Sequence, residues 1–187
     1  MFNMSLTKSP LCEFGKKADT FRLKSTDNTL ISLENIRGKN GLLIMFICNH
    51  CPYVIATIDE IVETSKQLQK YKINSLAIMS NDTNSYPEDS FDNMILFAKK
   101  YNFSFPYVID EDQSIANIYD AVCTPDFFGY NNNLELQYRG RIREFNNLKA
   151  VTGSENELLK NMIDIGKTGK GPLKQSPSMG CSIKWLK

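Results

Sequence analysis

Two cysteines three positions apart, Cys48 and Cys51, are the residues with the clearest capacity for chemistry. The apolar run 42–47 before them is too short for a helix and predicts a strand buried on both faces. Apolar residues between positions 54 and 68 recur near the 3.6-residue spacing of an amphipathic helix. Two thiols at the start of such a helix share one face and can close a disulfide with little backbone movement. We therefore expect a redox-active dithiol.

The expected position at the start of a helix also predicts which thiol attacks and which one resolves the mixed disulfide. Unpaired N–H groups and the positive dipole end of a first helical turn favour a thiolate over a thiol. Cys48, expected nearer to solvent, is the predicted low-pKa attacking thiolate, and Cys51 is the predicted resolving thiol. The alternative is a pair of inert buried thiols.

Composition excludes several classes of function. The 187 residues carry 22 Lys and Arg against 21 Asp and Glu, which predicts no broad field for nucleic acid or anionic membranes. No apolar run approaches 18 residues, and residues 1–15 lack the apolar core of a secretory signal, so we expect a cytoplasmic protein. Five cysteines are an odd number, which argues against a static disulfide framework.

The rest of the chain predicts elements on both sides of the dithiol. A turn at residues 26–28 between apolar segments predicts an N-terminal hairpin, and a second hairpin is expected around residues 131–133. Ser154 and Glu157 form a predicted capping box for the last helix. Other expected elements are a helical turn at 33–36, strands at 73–79 and 107–109, and helices at 91–101 and 114–119.

A strand–helix–strand pattern around a CxxC motif is the thioredoxin arrangement, and in a cytosolic chain it is a strong redox signal. Cys123, Thr124 and Pro125 precede the second predicted hairpin, where thioredoxin-like folds place a cis-proline that faces the CxxC. An X–Pro bond is the one peptide bond for which cis costs only about 0.5–1 kcal/mol.

Five motifs give the chain a wider resemblance; they are FICNHCPYV (46–54), SNDTNSYPEDS (80–90), CTPDFFGY (123–130), YRGRI (138–142) and PSMGCSIKW (177–185). They resemble the peroxiredoxin-like, redoxin-domain (AhpC/TSA-related) group of bacterial thioredoxin-family proteins over residues 12–185. The resemblance implies an α/β, thioredoxin-like fold with a central mixed β-sheet flanked by helices and a peroxiredoxin-type N-terminal β-hairpin.

The resemblance also implies roles for the site residues. His50, the only histidine, resembles the imidazole inside the CxxC of disulfide oxidases and isomerases, which stabilises the thiolate; the alternative is a solvated surface imidazole. The predicted catalytic residues are Cys48, Cys51, His50, Thr124 and Pro125, with no cofactor beyond the thiols. Expected substrates are protein or low-molecular-weight thiols and disulfides, while electron donor and oligomeric state are left open.

A thiol peroxidase is a less favoured interpretation. A true peroxiredoxin orients peroxide with Pro-x-x-x-Thr/Ser-x-x-Cys. If Cys51 were the peroxidatic residue, Ile44 and Cys48 would stand at the Pro and Thr positions; if Cys48 were, Gly41 and Met45 would. Both placements fail. Three arginines could assist peroxide binding, although an arginine-rich loop is more typical of a solvated surface; they are Arg139, Arg141 and Arg143.

Metal binding is the alternative from another class. Cys48, Cys51, Cys123 and Cys181, with His50 nearby, could form a thiolate metal site or hold an iron–sulfur cluster, although only one CxxC is present. Cys181 could equally relay a disulfide to the CxxC or fill space as a small apolar residue.

The C-terminus is expected to behave as a tail. We assign residues 1–165 to the redoxin domain and residues 166–187 to an extended tail that docks on it. Trp185 and Ile183 are the predicted apolar anchors of a docked segment 177–185, and residues 166–175 are expected to be looser.

Overall fold

The computed structural model describes residues 6–187, so the first five residues of the segment assessed for a secretory signal lie outside it. Its centre is a seven-stranded mixed sheet, in which the three middle strands are parallel to one another and the other pairings are antiparallel. In spatial order the strands are β3 (Leu30–Ser32), β2 (Arg22–Ser25), β6 (Tyr107–Ile109), β5 (Ile73–Met79), β4 (Gly41–Phe46), β8 (Asp126–Asn131) and β9 (Leu136–Tyr138).

Two smaller sheets accompany the central one. One has the order β1 (Leu6–Lys8), β12 (Met179–Ser182) and β7 (Cys123–Thr124), with antiparallel pairing throughout. The other is a hairpin of β10 (Phe145–Asn146) and β11 (Lys149–Ala150). Because β7 runs directly into β8, the three-stranded sheet joins the central sheet at the edge where the dithiol lies.

Helices cover both faces of the central sheet, as predicted. They are α1 (Leu33–Ile36), α2 (Pro52–Lys70), α3 (Phe91–Lys100), α4 (Ser114–Ile118) and α5 (Glu157–Thr168), with a short 3₁₀ helix at Pro87–Asp89. Of the helices within residues 6–187, none combines the length and apolar character that a membrane crossing requires.

Strand β4 is buried along its whole length and fixes the position of the CxxC loop. Its alternate side chains enter two different apolar clusters: Leu43 and Met45 pack with α2, α3 and α5, whereas Leu42 and Ile44 pack with α1 and α4. Alternation of side chains between the two faces of a strand explains why an unbroken apolar run belongs here.

The predicted N-terminal hairpin is confirmed, with Leu23 opposite Ile31 in an antiparallel pair. Its turn is stabilised by Asp27, whose carboxylate accepts hydrogen bonds from the Thr29 amide at 3.0 Å and from the Thr29 hydroxyl at 2.6 Å. This hairpin forms one edge of the central sheet, where β2 pairs with β6.

The predicted capping box of the last helix is wrong. The N-cap of α5 is Asn156, whose side chain accepts a hydrogen bond from the Leu159 amide at 2.8 Å. Ser154 instead lies in a preceding turn, where its amide donates to the Val151 carbonyl at 3.0 Å. That turn holds the serine two residues upstream of the N-cap.

The C-terminal segment differs from its prediction in three respects. Helix α5 continues to Thr168, so the proposed boundary at residues 165/166 falls within a helix. Trp185 is 41% exposed and is therefore not an anchor, whereas Ile183 is 3% exposed. Gln175 is not loose, because its side chain donates to the Gln137 carbonyl at 2.9 Å.

Candidate active site

The loop between β4 and α2 carries both cysteines of the CxxC. Cys51 is the N-cap of α2, which begins at Pro52, and Cys48 lies two residues beyond the end of β4. Cys48 is 1% exposed and Cys51 is fully buried. The two thiols therefore barely differ in exposure, although Cys48 was expected nearer to solvent, since the segments that contain Thr124 and Cys181 contact both of them.

Thr124 contacts both sulfur atoms, and the peptide bond between Thr124 and Pro125 is cis, as predicted. The Thr124 hydroxyl lies 3.4 Å from Cys48 Sγ. The Cys51 thiol donates to the Thr124 carbonyl oxygen at 3.2 Å. Thr124 therefore contacts Cys48 through its side-chain hydroxyl and Cys51 through its backbone carbonyl. Four of the predicted site residues lie together as a result: Cys48, Cys51, Thr124 and Pro125.

The hydrogen bonds and burial of the two sulfurs reverse the predicted order of acidity, in which Cys48 had the lower pKa. Hydrogen bonds from the Cys181 thiol and then the Cys48 thiol lower the pKa of Cys51, and the Val54 amide in the first turn of α2 adds to this. The same bond to Cys51, followed by burial, raises the pKa of Cys48. Because the two thiols share a proton, their titration belongs to the pair.

Asp89 is a fully buried carboxylate that holds the CxxC loop in place. Its Oδ1 accepts a hydrogen bond from the Asn49 amide at 2.8 Å, and its Oδ2 accepts bonds from His50 Nδ1 and Asn81 Nδ2, each at 2.8 Å. Asn49 is bound on its other side by the Tyr107 hydroxyl, which donates to Asn49 Oδ1 at 3.0 Å. The loop is therefore fixed by a buried polar network.

Asp89 was not among the predicted site residues, although the sequence carries a signal for it. Asp89 belongs to the polar loop that follows β5, and β4 is parallel to β5. The carboxyl ends of neighbouring parallel strands meet at the same edge of a sheet, where ligand and active sites collect. The acidic residues of that loop were therefore candidates for contact with the CxxC.

His50 is an imidazole whose charge is stabilised by the protein. Its hydrogen bond to Asp89 raises the pKa of His50, while burial works in the opposite direction. The ring stacks on Tyr86 with centroids 5.6 Å apart and planes inclined by 5°. The side chain is 21% exposed, so the alternative of a solvated surface imidazole is wrong.

Replacing Asp89 with asparagine should lower the pKa of His50, because the negative partner of the imidazolium is lost. His50 is the only histidine, so its ring protons can be followed alone by NMR across pH. The raised folded-state pKa stabilises the fold fully below the unfolded value of about 6.5, and that contribution disappears as pH rises through the folded pKa. Glu88→Gln, on an exposed neighbour whose charge is the smallest of the contributions that raise this pKa, is the matched control and should lower it less than D89N does. Equal His50 titration curves for D89N and the natural chain would contradict this prediction.

The two remaining cysteines near the site occupy different positions. Cys181 lies on β12 directly opposite Thr124 on β7, and its thiol hydrogen-bonds to Cys51. Cys123 is fully buried, and its thiol donates to the Pro125 carbonyl oxygen at 3.7 Å. Burial raises the pKa of Cys123 well above its ordinary value. Only Cys181 of these two therefore hydrogen-bonds to a CxxC thiol.

The described part of the chain brings one set of possible metal ligands together, and it differs from the predicted set. The ligand atoms of Cys48, His50 and Asp89 lie within 4.8 Å of one another. Neither Cys123 nor Cys181 belongs to this group. The geometry therefore gives the alternative four-cysteine site no support. Within the group that does come together, the Asp89 carboxylate is already engaged by three hydrogen bonds.

Each of the three arginines after β9 is paired with a carboxylate. Arg139 is 3% exposed and donates to Asp126 at 3.0 Å, so the expectation of a solvated surface is wrong for this residue. The other two pairs are partly exposed; they are Arg141 with Glu157 at 2.7 Å and Arg143 with Glu60 at 2.6 Å.

A cleft of about 780 Å³ is lined in part by Pro125 but by neither cysteine of the CxxC. Tyr53 in the first turn of α2 forms part of one wall, and the β10–β11 hairpin contributes Phe145 and Leu148. Its volume lies within the range of about 300–1,000 Å³ that is typical of ligand sites.

A model of the AhpC/TSA family matches residues 14–145, which include the CxxC, the Asp89 loop and the cis-proline. The chain belongs to the AhpC/TSA family. This membership makes it a thioredoxin-like redoxin and, at that coarse level, an oxidoreductase. It also agrees with the resemblance drawn from the sequence motifs.

Known relatives of this redoxin support the same assignment. An uncharacterized conserved protein from Geobacillus kaustophilus is 36% identical, covers 99% of this chain and 98% of its own, and superposes with a TM-score of 0.92. The bcp protein of Coxiella burnetii, assigned as a peroxiredoxin, is 23% identical over 117 residues, which are 63% of this chain and 72% of that protein.

The fold recurs in a secreted disulfide oxidoreductase from Mycobacterium tuberculosis, which is 17% identical, with coverage of 77% of this chain and 94% of that one. Its TM-score of 0.58 confirms the predicted thioredoxin-like fold.

Proposed function

We propose that this redoxin is a thiol–disulfide oxidoreductase that cycles Cys48 and Cys51 between a dithiol and a disulfide. The observation that carries this proposal is the convergence of both sulfurs on Thr124, beside the cis-proline. Sulfurs that are hydrogen-bonded to each other need little movement to form a disulfide.

In the proposed cycle Cys48 is the nucleophile, and its proton passes to Cys51 along the hydrogen bond between them. The Cys48 thiolate attacks a substrate disulfide, forms a mixed disulfide and releases the first substrate thiolate. Cys51 then attacks the Cys48 sulfur, and the second substrate thiolate leaves. The proton that the pair shares ends on one substrate thiol, the other substrate thiolate takes its proton from solvent, and the enzyme is left with a Cys48–Cys51 disulfide.

His50 would favour the thiolate form throughout this cycle. An imidazolium that Asp89 keeps charged lies inside the CxxC loop, and the Cys51 charge in turn raises the pKa of His50. Stabilising the thiolate makes the reduced state more favourable and the disulfide more oxidising.

The cleft beside Pro125 is the proposed binding site for substrates, which we take to be protein or low-molecular-weight disulfides. It starts next to the residue that contacts both sulfurs, and its walls combine apolar and aromatic side chains with polar and basic ones, such as Arg141 and Arg143. The electron donor would be a second dithiol or a small thiol that enters by the same route.

A thiol peroxidase is the second candidate, favoured by membership of the AhpC/TSA family. Two observations argue against it as the main activity. The sequence lacks the Pro and Thr that orient peroxide at either cysteine. The guanidinium groups of Arg139, Arg141 and Arg143 are each engaged by a carboxylate rather than by the thiol site.

Insulin-type disulfide reduction should therefore exceed hydrogen peroxide turnover when both are measured with the same thiol donor. Cys48→Ser and Cys51→Ser should each remove the insulin reaction, whereas Cys12→Ser, a matched change at a partly exposed cysteine away from the CxxC, should preserve it. Rapid peroxide consumption that survives Cys48→Ser but not Cys51→Ser would overturn the proposal.

A further inference from the structure

We propose that Cys181 is a third redox-active thiol of this site, which exchanges with the CxxC to form a Cys51–Cys181 disulfide. The inference deepens the proposed function and rests on it, because the Cys48–Cys51 disulfide is its starting point. It gives strand β12, which carries Cys181, a direct role in disulfide exchange.

The first support is the placement of the three sulfurs around one residue. Cys181 lies opposite Thr124 in the antiparallel pair of β12 and β7. The Cys51 sulfur lies 3.2 Å from the Thr124 carbonyl oxygen, and the Cys48 sulfur lies 3.4 Å from the Thr124 hydroxyl. Cys51 is hydrogen-bonded to Cys48 and to Cys181, so it is the sulfur that can pair with either.

The second support is that the fold holds β12 against the cis-proline segment at several points. The Ser178 hydroxyl donates to the Pro125 carbonyl at 2.7 Å, and the Ile183 amide donates to the Val122 carbonyl at 3.1 Å. Between them, Gly180 packs so closely that an added Cβ would clash with the Thr124 carbonyl oxygen. The strand therefore keeps Cys181 at the site by close backbone contact.

The third support is that the alternative roles of Cys181 fit the contacts less well. A space-filling cysteine needs only apolar neighbours, yet this thiol hydrogen-bonds to a redox sulfur. A metal-ligand role is not supported either, since the possible ligand group within the described residues excludes Cys181.

The proposed step is an internal thiol–disulfide exchange. The Cys181 thiolate attacks Sγ of Cys51 in the Cys48–Cys51 disulfide, the Cys51–Cys181 bond forms, and the Cys48–Cys51 bond breaks. The electron pair leaves with Cys48, which takes up a proton in place of the one that Cys181 lost. Two sulfurs are oxidised before and after the step, so no further oxidant is needed. After the step Cys48 is a free thiol, and the disulfide lies between Cys51 and Cys181.

Disulfide mapping of the full chain tests this step. The natural protein and the variants C48S, C181S and C123S would be oxidised with stoichiometric diamide, acid-quenched, alkylated and digested without reduction. We expect peptides joined through Cys48–Cys51 and through Cys51–Cys181 in the natural chain. In C48S, where no Cys48–Cys51 disulfide can form and diamide oxidises Cys51 and Cys181 directly, we expect only the Cys51–Cys181 product; in C181S we expect only the Cys48–Cys51 product.

Cys123 is the matched control, because it is another buried thiol beside the site and C123S should leave both products unchanged. Gly180→Ala keeps all five cysteines but moves β12 away from Thr124, so it should reduce the Cys51–Cys181 product relative to the Cys48–Cys51 product. Circular dichroism would establish that each variant is folded.

The inference is overturned if Cys181 remains reduced in the natural chain and in C48S, or if Cys51 of C48S pairs with Cys123 instead. A natural chain without a Cys48–Cys51 disulfide contradicts the proposed function, which is a different result. The two proposals are therefore distinguished by which peptides are joined.

Discussion

Replacing Arg139 with methionine should lower the free energy of unfolding by about 3–5 kcal/mol, because it leaves a buried carboxylate without its positive partner. Arg139 donates to Asp126 at 3.0 Å, and neither side chain is more than 3% exposed. The guanidinium also lies 4.4 Å from the centre of the Phe128 ring, so its removal costs packing as well. Urea denaturation at neutral pH measures the change.

The same prediction has a pH dependence of known sign. Burial raises the pKa of Asp126 to about 6 even though Arg139 lowers it, so the folded state binds this proton more tightly than the unfolded state. A raised carboxyl pKa means that stability falls as pH rises from the unfolded value of about 3.9 through the folded value. Without Arg139 the pKa rises further, so the destabilisation of R139M should be larger at about pH 7 than at about pH 5.

Two further variants separate the buried charge from other causes. R139M/D126N removes both charges and should recover part of the lost stability, because the unpaired carboxylate is the main penalty. R143M breaks the partly exposed pair with Glu60 and should cost no more than about 1 kcal/mol. A loss for R139M no larger than that of R143M, or one independent of pH, would contradict the assignment.

Most of the fold was predictable because local patterns decide it. The apolar run before Cys48 could only be a strand buried on both faces, and Leu42 and Leu43 indeed enter opposite clusters. Strand β5 has the predicted bounds, and the turn that contains Asp27 closes the predicted hairpin. In each case the signal lies within a few neighbouring residues.

The failed expectations depend on contacts between residues far apart in the chain. In the sequence Arg139 is typical of a surface arginine, but in the fold it pairs with the buried Asp126. Asp89 acts at the site because its loop packs against the CxxC loop and its carboxylate binds His50. The acidity of Cys51 is likewise set by Cys181, which lies 130 positions later in the sequence (181 − 51). Burial and charge pairing of this kind have no local sequence signature.

A serine at position 51 should trap substrate on Cys48 and lengthen the lifetime of the mixed disulfide at least about a thousandfold. The resolving thiol of the natural chain acts at the high effective concentration of a group held beside its target, whereas an external thiol must arrive by diffusion. Mass spectrometry of C51S after reaction with insulin or with a small disulfide would detect the adduct and locate it on Cys48.

The matched variant C48S decides which sulfur attacks. The hydrogen bonds around Cys51 favour Cys51 as the thiolate, whereas the proposed cycle makes Cys48 the nucleophile. The pKa of Cys51 is lowered, yet its sulfur lies against the Thr124 carbonyl oxygen and the Cys181 thiol, so we expect no adduct on it in C48S. Including C51S/C181S removes Cys181 as a substitute resolving thiol, and its adduct should be at least as long-lived as that of C51S. An adduct that accumulates on Cys51 in C48S, with none on Cys48 in C51S, would make Cys51 the nucleophile. Acidity would then outweigh position in this site; the opposite result means that Cys48 is the nucleophile even when Cys51 is not there to take its proton.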